Sequence, residues 1–280
     1  MHLRRVVALV LSAAVLLSVG GCGAKKQATL TPKIAPPVIA AEGVLRAGVD
    51  LSYPPFAGEA GGKKVGIDVD VAAAVAERLG LRLEVVDIKS ADVPAALKAK
   101  TIDIALGAVP IADAVLADVT VAGSYFTDGP GLFSMVASGA PAPTIKQDGL
   151  AKLRVGAQQG SAVFWALESA YGEGFVAASP AVRGAFEALS AGSLDVVAAD
   201  AVVGAYLARD FPGVAFVGQY GSAEPLGVLV AKDDSALESA IRGVLDVLSS
   251  EGVLDAIRTK WVGALPVLEA EASGDTSTTP

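Results

Sequence analysis

One feature limits the chain's folding options more than any other: short β-branched runs alternate with helix-periodic stretches from residue 44 to residue 261. Such a chain buries its apolar faces by laying helices over sheets, which is the α/β arrangement. Residues 44–49 read as a strand, and residues 68–79 as a helix with Val71, Val75 and Leu79 on one face and Gly80 as the stop. Leu81, Leu83 and Val85 alternate as a strand, Pro94 opens the next helix, and residues 102–106 form a buried strand. The second half repeats the plan, with strand 153–157, helix 161–171, helix 180–191 closed by Gly192, strand 194–199 and helix 200–209. Two last helices, 235–249 and 253–261, are expected to pack back on the first half.

An internal echo accompanies this plan. Ala96-Leu97-Lys98-Ala99-Lys100-Thr101-Ile102-Asp103-Ile104 lines up with Ala188-Leu189-Ser190-Ala191-Gly192-Ser193-Leu194-Asp195-Val196. Each is a helix end, a tight turn, and a strand with Asp after its first apolar residue. Two readings stay open: a pair of similar lobes, or the likeness that any helix-turn-strand unit bears to another. The Gly- and Pro-bearing stretches 126–131 and 219–225 read as the two crossings between lobes.

The first residues speak to compartment. Arg4 and Arg5 precede the apolar run 6–19, too short for a comfortable membrane span, so residues 1–21 read as a cleaved secretory signal. The run ends in Val19-Gly20-Gly21-Cys22, a lipobox pattern, and Cys22 is the sole cysteine. No intramolecular disulfide is therefore possible, and the expectation is a lipid on Cys22 holding the protein at the outer face of the cell membrane. Residues 22–42, with Lys25, Lys26, Pro32, Pro36 and Pro37, read as a flexible lipidated stalk, and residues 266–280 as a disordered tail. Loss of Arg4 and Arg5 takes the formal net charge from −8 to −10, which argues against a nucleic-acid partner.

The body carries a more specific resemblance. Leu45-Arg46-Ala47-Gly48-Val49-Asp50, Tyr53-Pro54-Pro55-Phe56 and Gly66-Ile67-Asp68-Val69-Asp70-Val71 resemble the opening of the family 3 extracellular solute-binding proteins, the polar amino-acid receptors of ABC importers. Ile102-Asp103-Ile104-Ala105, Val155-Gly156-Ala157-Gln158-Gln159-Gly160-Ser161, Asp195-Val196-Val197-Ala198-Ala199-Asp200, Leu226-Gly227-Val228 and Lys260-Trp261-Val262-Gly263 follow in the family's order. The resemblance implies two doubly wound lobes joined by two hinge strands, the type II periplasmic-binding-protein fold. Lobe 1 would comprise 43–128 plus 224–265, and lobe 2 would comprise 129–223. It also implies a monomer that hands a small-molecule ligand to ABC permease subunits, with no cofactor and no metal. Open α/β sheets bind ligands at the carboxyl ends of strands, which is where the candidate residues fall.

Asp50 and Tyr53 match cleft-facing positions of the family, Tyr53 offering a flat ring and a hydroxyl. Phe56 reads as core. Gln158, Ser161 and Ala162 stand at a helix start whose free N–H groups and hydroxyl suit a carboxylate, and an ordinary Ser cap is the competing reading. Asp200 matches the residue that pairs with a ligand ammonium, with a simple N-cap as its alternative. Ser90 falls where an aromatic often covers the ligand, and Pro110 stands where a hydroxyl residue is usual. Asp68, Asp70, Asp103 and Asp195 read as caps and turn residues.

One family residue is missing. The Arg that forks onto the ligand α-carboxylate is absent, Val115 standing about where it belongs, and no Arg occurs between Arg82 and Arg154. With Asp50 and Asp200 retained, the cleft should be electronegative and suit a cationic or weakly anionic amine-bearing solute, so the ligand is expected to be a small polar amine-bearing or amino-acid-like molecule. A ligand-sensing or degenerate-binder lipoprotein is the second reading. An enzyme of dehydratase type is the third and weakest, since the sole His is His2, inside the signal, and Cys22 is committed to lipid.

Overall fold

The computed structural model describes residues 30–107 and 119–270. Strand β1 (Val44–Val49) is followed by the hairpin β2 (Gly58–Ala60) and β3 (Lys63–Val65), helix α1 (Ile67–Arg78), β4 (Arg82–Asp87), α2 (Val93–Lys98) and β5 (Ile104–Ala105). The long β6 (Val119–Asp128) leads into β7 (Pro130–Met135). Then come β8 (Val155–Gln158), α3 (Ala162–Tyr171), β9 (Val176–Ser179), α4 (Val182–Ser190), β10 (Val196–Asp200), α5 (Ala201–Ala208) and β11 (Val214–Gln219). The chain returns through β12 (Glu224–Ala231) and ends in α6 (Ser235–Ser250) and α7 (Val253–Val262).

Two mixed five-stranded sheets result, ordered β4-β1-β5-β12-β6 and β11-β7-β10-β8-β9. In each, the strands linked through helices pair in parallel, and the returning strands pair antiparallel. The chain passes between sheets twice, at Asp128-Gly129-Pro130 and between β11 and β12. These crossings touch: Asp128 pairs with Glu224 in register, and a side chain on Gly129 would meet Ala223 Cα at 2.7 Å. The antiparallel ladder of β6 and β12 thus extends to the crossing itself.

The helices bury the faces that their periodicity assigns. Helix α6 turns Leu237, Ile241, Leu245 and Leu248 inward and packs with α7 on the first lobe, as expected from the sequence. In the second lobe Phe133 is fully buried between Phe186 and Phe216, at ring distances of 5.4 and 5.7 Å.

The internal echo is a real structural repeat. In the first lobe Asp103 N–H donates to Arg46 O and its Oδ2 accepts from Arg46 N–H, both at 2.8 Å. In the second lobe Asp195 N–H donates to Arg154 O at 2.9 Å and its Oδ2 accepts from Arg154 N–H at 2.8 Å. Each aspartate thus fixes the start of its strand against a parallel neighbour and pairs with that neighbour's guanidinium. The turns before them also match, with Lys100 and Gly192 both left-handed at φ 51° and 74°. Only glycine takes that conformation without steric cost.

Three expectations are corrected. Residues 31–42 of the expected stalk are packed: Ile39 is fully buried, Lys33 N–H donates to Leu79 O, and Ala40 N–H donates to Asp103 Oδ1 at 2.9 Å. Ile34, Val38 and Ile39 supply the apolar surface that holds this segment down. Residues 266–270 of the expected tail are ordered too, with Leu268 buried and Gln219 exchanging two side-chain hydrogen bonds with the Glu269 backbone. The aspartates read as caps do other work. Residues Ile67 and Asp68 donate their N–H groups to Pro55 O and Phe56 O, so α1 needs no side-chain cap. The freed Asp68 carboxylate is buried and accepts from the Tyr125 hydroxyl at 2.6 Å. Asp70 accepts from Lys260 and the Trp261 indole.

These aspartates can be tested by substitution. Asp103 is buried and Asp195 half-exposed, so Asp103→Ala should cost about 3 kcal/mol and Asp195→Ala about 1 kcal/mol in urea denaturation. Equal costs would show that burial does not set the strength of the clasp. Burial also pushes the Asp68 carboxyl up to about 7, against the pull of the Tyr125 hydrogen bond. A carboxyl raised on folding contributes stability below its unfolded pKa and loses it as pH rises through the folded one. Relative to Asp68→Asn, the wild type should therefore lose roughly 2–4 kcal/mol between pH 4 and pH 8. A flat difference across that range would contradict the assignment.

Candidate functional site

A cavity of about 400 Å³ opens between the lobes beside the crossing, with Tyr53, Asp128, Ala162, Asp200, Ser222 and Glu224 among its lining residues. Tyr53 comes from the turn after β1, Asp128 from the end of β6, Asp200 from the end of β10, and Ala162 from the first turn of α3. Every charged residue in the lining is acidic.

Local hydrogen bonding decides which carboxylates face the cavity. Helix α5 starts directly after Asp200, yet the Asp200 side chain makes no cap bond. The crossing caps the helix instead: Ala201 N–H donates to Gly129 O at 2.8 Å, and Val202 N–H donates to Asp128 Oδ1 at 3.1 Å. With the helix start satisfied from another strand, Asp200 is free to turn to the cleft. The Tyr53 hydroxyl donates to Asp200 Oδ2 at 3.4 Å, a long bond between lobes. The Tyr53 ring stacks on buried Phe56 at 5.4 Å and keeps 38% of its surface exposed. Phe56 is thus core and Tyr53 is available for contact.

The electrostatics follow from enclosure and crowding. Burial pushes the Asp128 carboxyl up to about 7, with the negative charge of Asp200 adding to the shift against three backbone hydrogen bonds. Burial also raises Asp200, offset in part by the Tyr53 hydroxyl. The Tyr53 phenol is pushed well above its ordinary range by burial and by the surrounding carboxylates. A cation entering this cavity would relieve all three.

The structure brings three of the expected residues, Tyr53, Ala162 and Asp200, to one cavity. Asp50 is engaged elsewhere: its Oδ1 accepts from Lys89 Nζ at 2.7 Å and from both the amide and the hydroxyl of Ser52. These bonds hold its carboxyl down at about 2, so Asp50 brings a neutralised pair and not a free negative charge. Ser90 is exposed at the start of a short 3-10 helix. Ser161 acts as the cap of α3, accepting from Phe164 N–H at 3.2 Å, and half-buried Gln158 ends β8 in register with Ser179. Pro110 and Val115 lie outside the described residues. Asp128 and Glu224 are cavity residues that the sequence reading missed. Their signal was weak: an Asp before Gly-Pro reads as a turn residue, and a Glu before Pro225 reads as solvated loop.

Among the described residues no cluster of His, Cys, Asp or Glu is arranged to hold a metal, and no helix is long and apolar enough to cross a membrane. Over 80% of this chain and 90% of its own length, the L-arginine-binding protein of Pseudomonas aeruginosa is 30% identical. An ancestral cationic amino acid solute-binding protein superposes with a TM-score of 0.67 at 25% identity, covering 79% of this chain and 96% of its own. A substrate-binding protein of a polar amino acid ABC uptake transporter from Streptococcus thermophilus superposes with a TM-score of 0.70 at 22% identity, covering 80% and 88%. Residues 45–264 match the bacterial extracellular solute-binding proteins, family 3, and the chain belongs to that family.

Proposed function

We infer that this protein is the exported substrate-binding component of an ABC importer and that it captures a small amine-bearing solute between its two lobes. The observation that carries the reading is the cavity itself, where Asp128, Asp200 and Glu224 converge with Tyr53 from both lobes and, among the described residues, no basic side chain joins them. In this reading Asp200 and Asp128 hold the ligand's ammonium, and Tyr53 lays its ring over the ligand. The arginine-binding relative supports a cationic ligand. Residues 1–21 act as the export signal, Cys22 carries the lipid, and the protein works as a monomer that presents the loaded cleft to the permease. Binding without turnover is the proposed role, because the chain beyond its signal has no histidine, and its one cysteine is the lipid site.

Ligand contacts to both lobes would favour the closed arrangement by as much as they differ between the two states. Calorimetry of the mature protein against arginine, lysine and small amines should show saturable binding. Asp200→Asn should weaken it at least a hundredfold, which is about 2.7 kcal/mol. Because the carboxyls must ionise to meet a cation, affinity should rise from pH 5 to about pH 7 and level off above. Undiminished binding in Asp200→Asn, or affinity that falls with pH, would remove the basis of this reading.

A further inference from the structure

We propose that the cleft selects an amine or guanidinium cation that carries no carboxylate over the α-amino acid with the same side chain. The proposal rests on the reading of the cleft as the ligand site and names the chemical class that it takes.

Charge decides the selection. An α-amino acid brings a carboxylate within a few bonds of its ammonium, so both groups must enter the same cavity of about 400 Å³. The cavity's charged lining is Asp128, Asp200 and Glu224, and like charges held close in a poorly solvated space repel strongly. Basic side chains flanking the cleft's elements are already committed. Lys89 Nζ donates to Asp50 and to the Ser52 hydroxyl, both at 2.7 Å. Arg154 forks onto Asp195, and Arg209 donates to Trp261 O.

Neutral donors are the remaining means of holding a carboxylate. The start of α3 is the obvious one, where the Ser161 hydroxyl accepts from Phe164 N–H and keeps a single O–H to donate. Ala162 contributes no polar side chain to the lining. A helix end of this kind, facing three carboxylates, is outweighed.

A cation finds the opposite situation. Among the described residues the Asp200 carboxylate accepts only the long 3.4 Å bond from Tyr53, which an ammonium or guanidinium N–H would displace with a shorter, charge-assisted one. The hydrogen bonds from Gly129 and Val202 to the Asp128 carboxylate both fall on Oδ1. Exposed Glu224, set opposite Asp128 in the β6–β12 ladder, adds a further carboxylate for a ligand with a second positive charge.

The test is calorimetry on the mature wild-type protein with matched pairs: arginine and agmatine, lysine and cadaverine, ornithine and putrescine. Argininamide serves as a compound of arginine's shape without the negative charge. The decarboxylated member of each pair should bind at least tenfold more tightly than its parent, and argininamide should side with agmatine. Glu224→Gln should narrow the gap within each pair. Parent amino acids binding as tightly as their decarboxylated partners would overturn this proposal and leave the importer-receptor reading standing. Argininamide siding with arginine would overturn it as well, by tracing the preference to size. Binding by neither class would overturn both readings together.

Discussion

The hydrogen bond from Val202 N–H to Asp128 Oδ1 ties together more of this molecule than any other contact. It runs from the last residue of a first-lobe strand to the opening turn of a second-lobe helix, one residue before the chain crosses. It satisfies an amide that the start of α5 leaves without a partner, and so removes the reason for Asp200 to fold back as a cap. The same contact encloses Asp128 beside Asp200. Two carboxylates kept close and partly desolvated both resist ionisation, and a nearby positive charge would relieve both. Local helix capping and ligand chemistry are here one arrangement.

That arrangement needs two lobes stiff enough to hold its parts in place. The repeated Arg–Asp clasp supplies this at equivalent positions, fixing the register of β5 on β1 in one lobe and of β10 on β8 in the other. One-residue slips would invert the faces of those strands, and the clasp opposes such slips where the strands begin. The C-terminal segment adds a strap across the crossing, since Glu269 bonds to Gln219 of the second lobe and to Ala223, just before the return strand. Its attachment at the crossing lets it bind both lobes without spanning the cleft.

Most of the helices and the parallel strands were legible because their burial is periodic within a few turns, as in α6. The repeat was legible too, since Asp103 and Asp195 follow matched turns. Long-range pairing was not. Strand β6 reads Val-Thr-Val-Ala-Gly-Ser-Tyr-Phe-Thr-Asp, with no clean alternation, because antiparallel pairing with β12 and packing of α6 on its face decide its burial together. The packing of residues 31–42 was hidden for a similar reason. Pro32, Pro36 and Pro37 break any helix or strand period there, while the backbone groups that anchor it find partners far along the chain, at Leu79 and Asp103. In the site, Tyr53 and Asp200 were legible by resemblance. Asp128 was not, because its role depends on a helix start 74 residues away.

The weakness of the polar contact from Tyr53 to Asp200 has a consequence for how such a cleft would respond to a ligand. At 3.4 Å, the bond from Tyr53 to Asp200 is long for an O–H donor to a carboxylate and contributes little to holding the lobes together. A short, strong bond there would bring the lobes together without ligand, and a cation would then have to compete for Asp200. The long bond leaves the carboxylate poorly satisfied and raised by burial. Differential affinity then comes from the difference between a poor neutral donor and a charged one at the same oxygen. A ligand shifts a conformational equilibrium only by such a difference, and in the proposed reading the poorly satisfied Asp200 is where that difference arises.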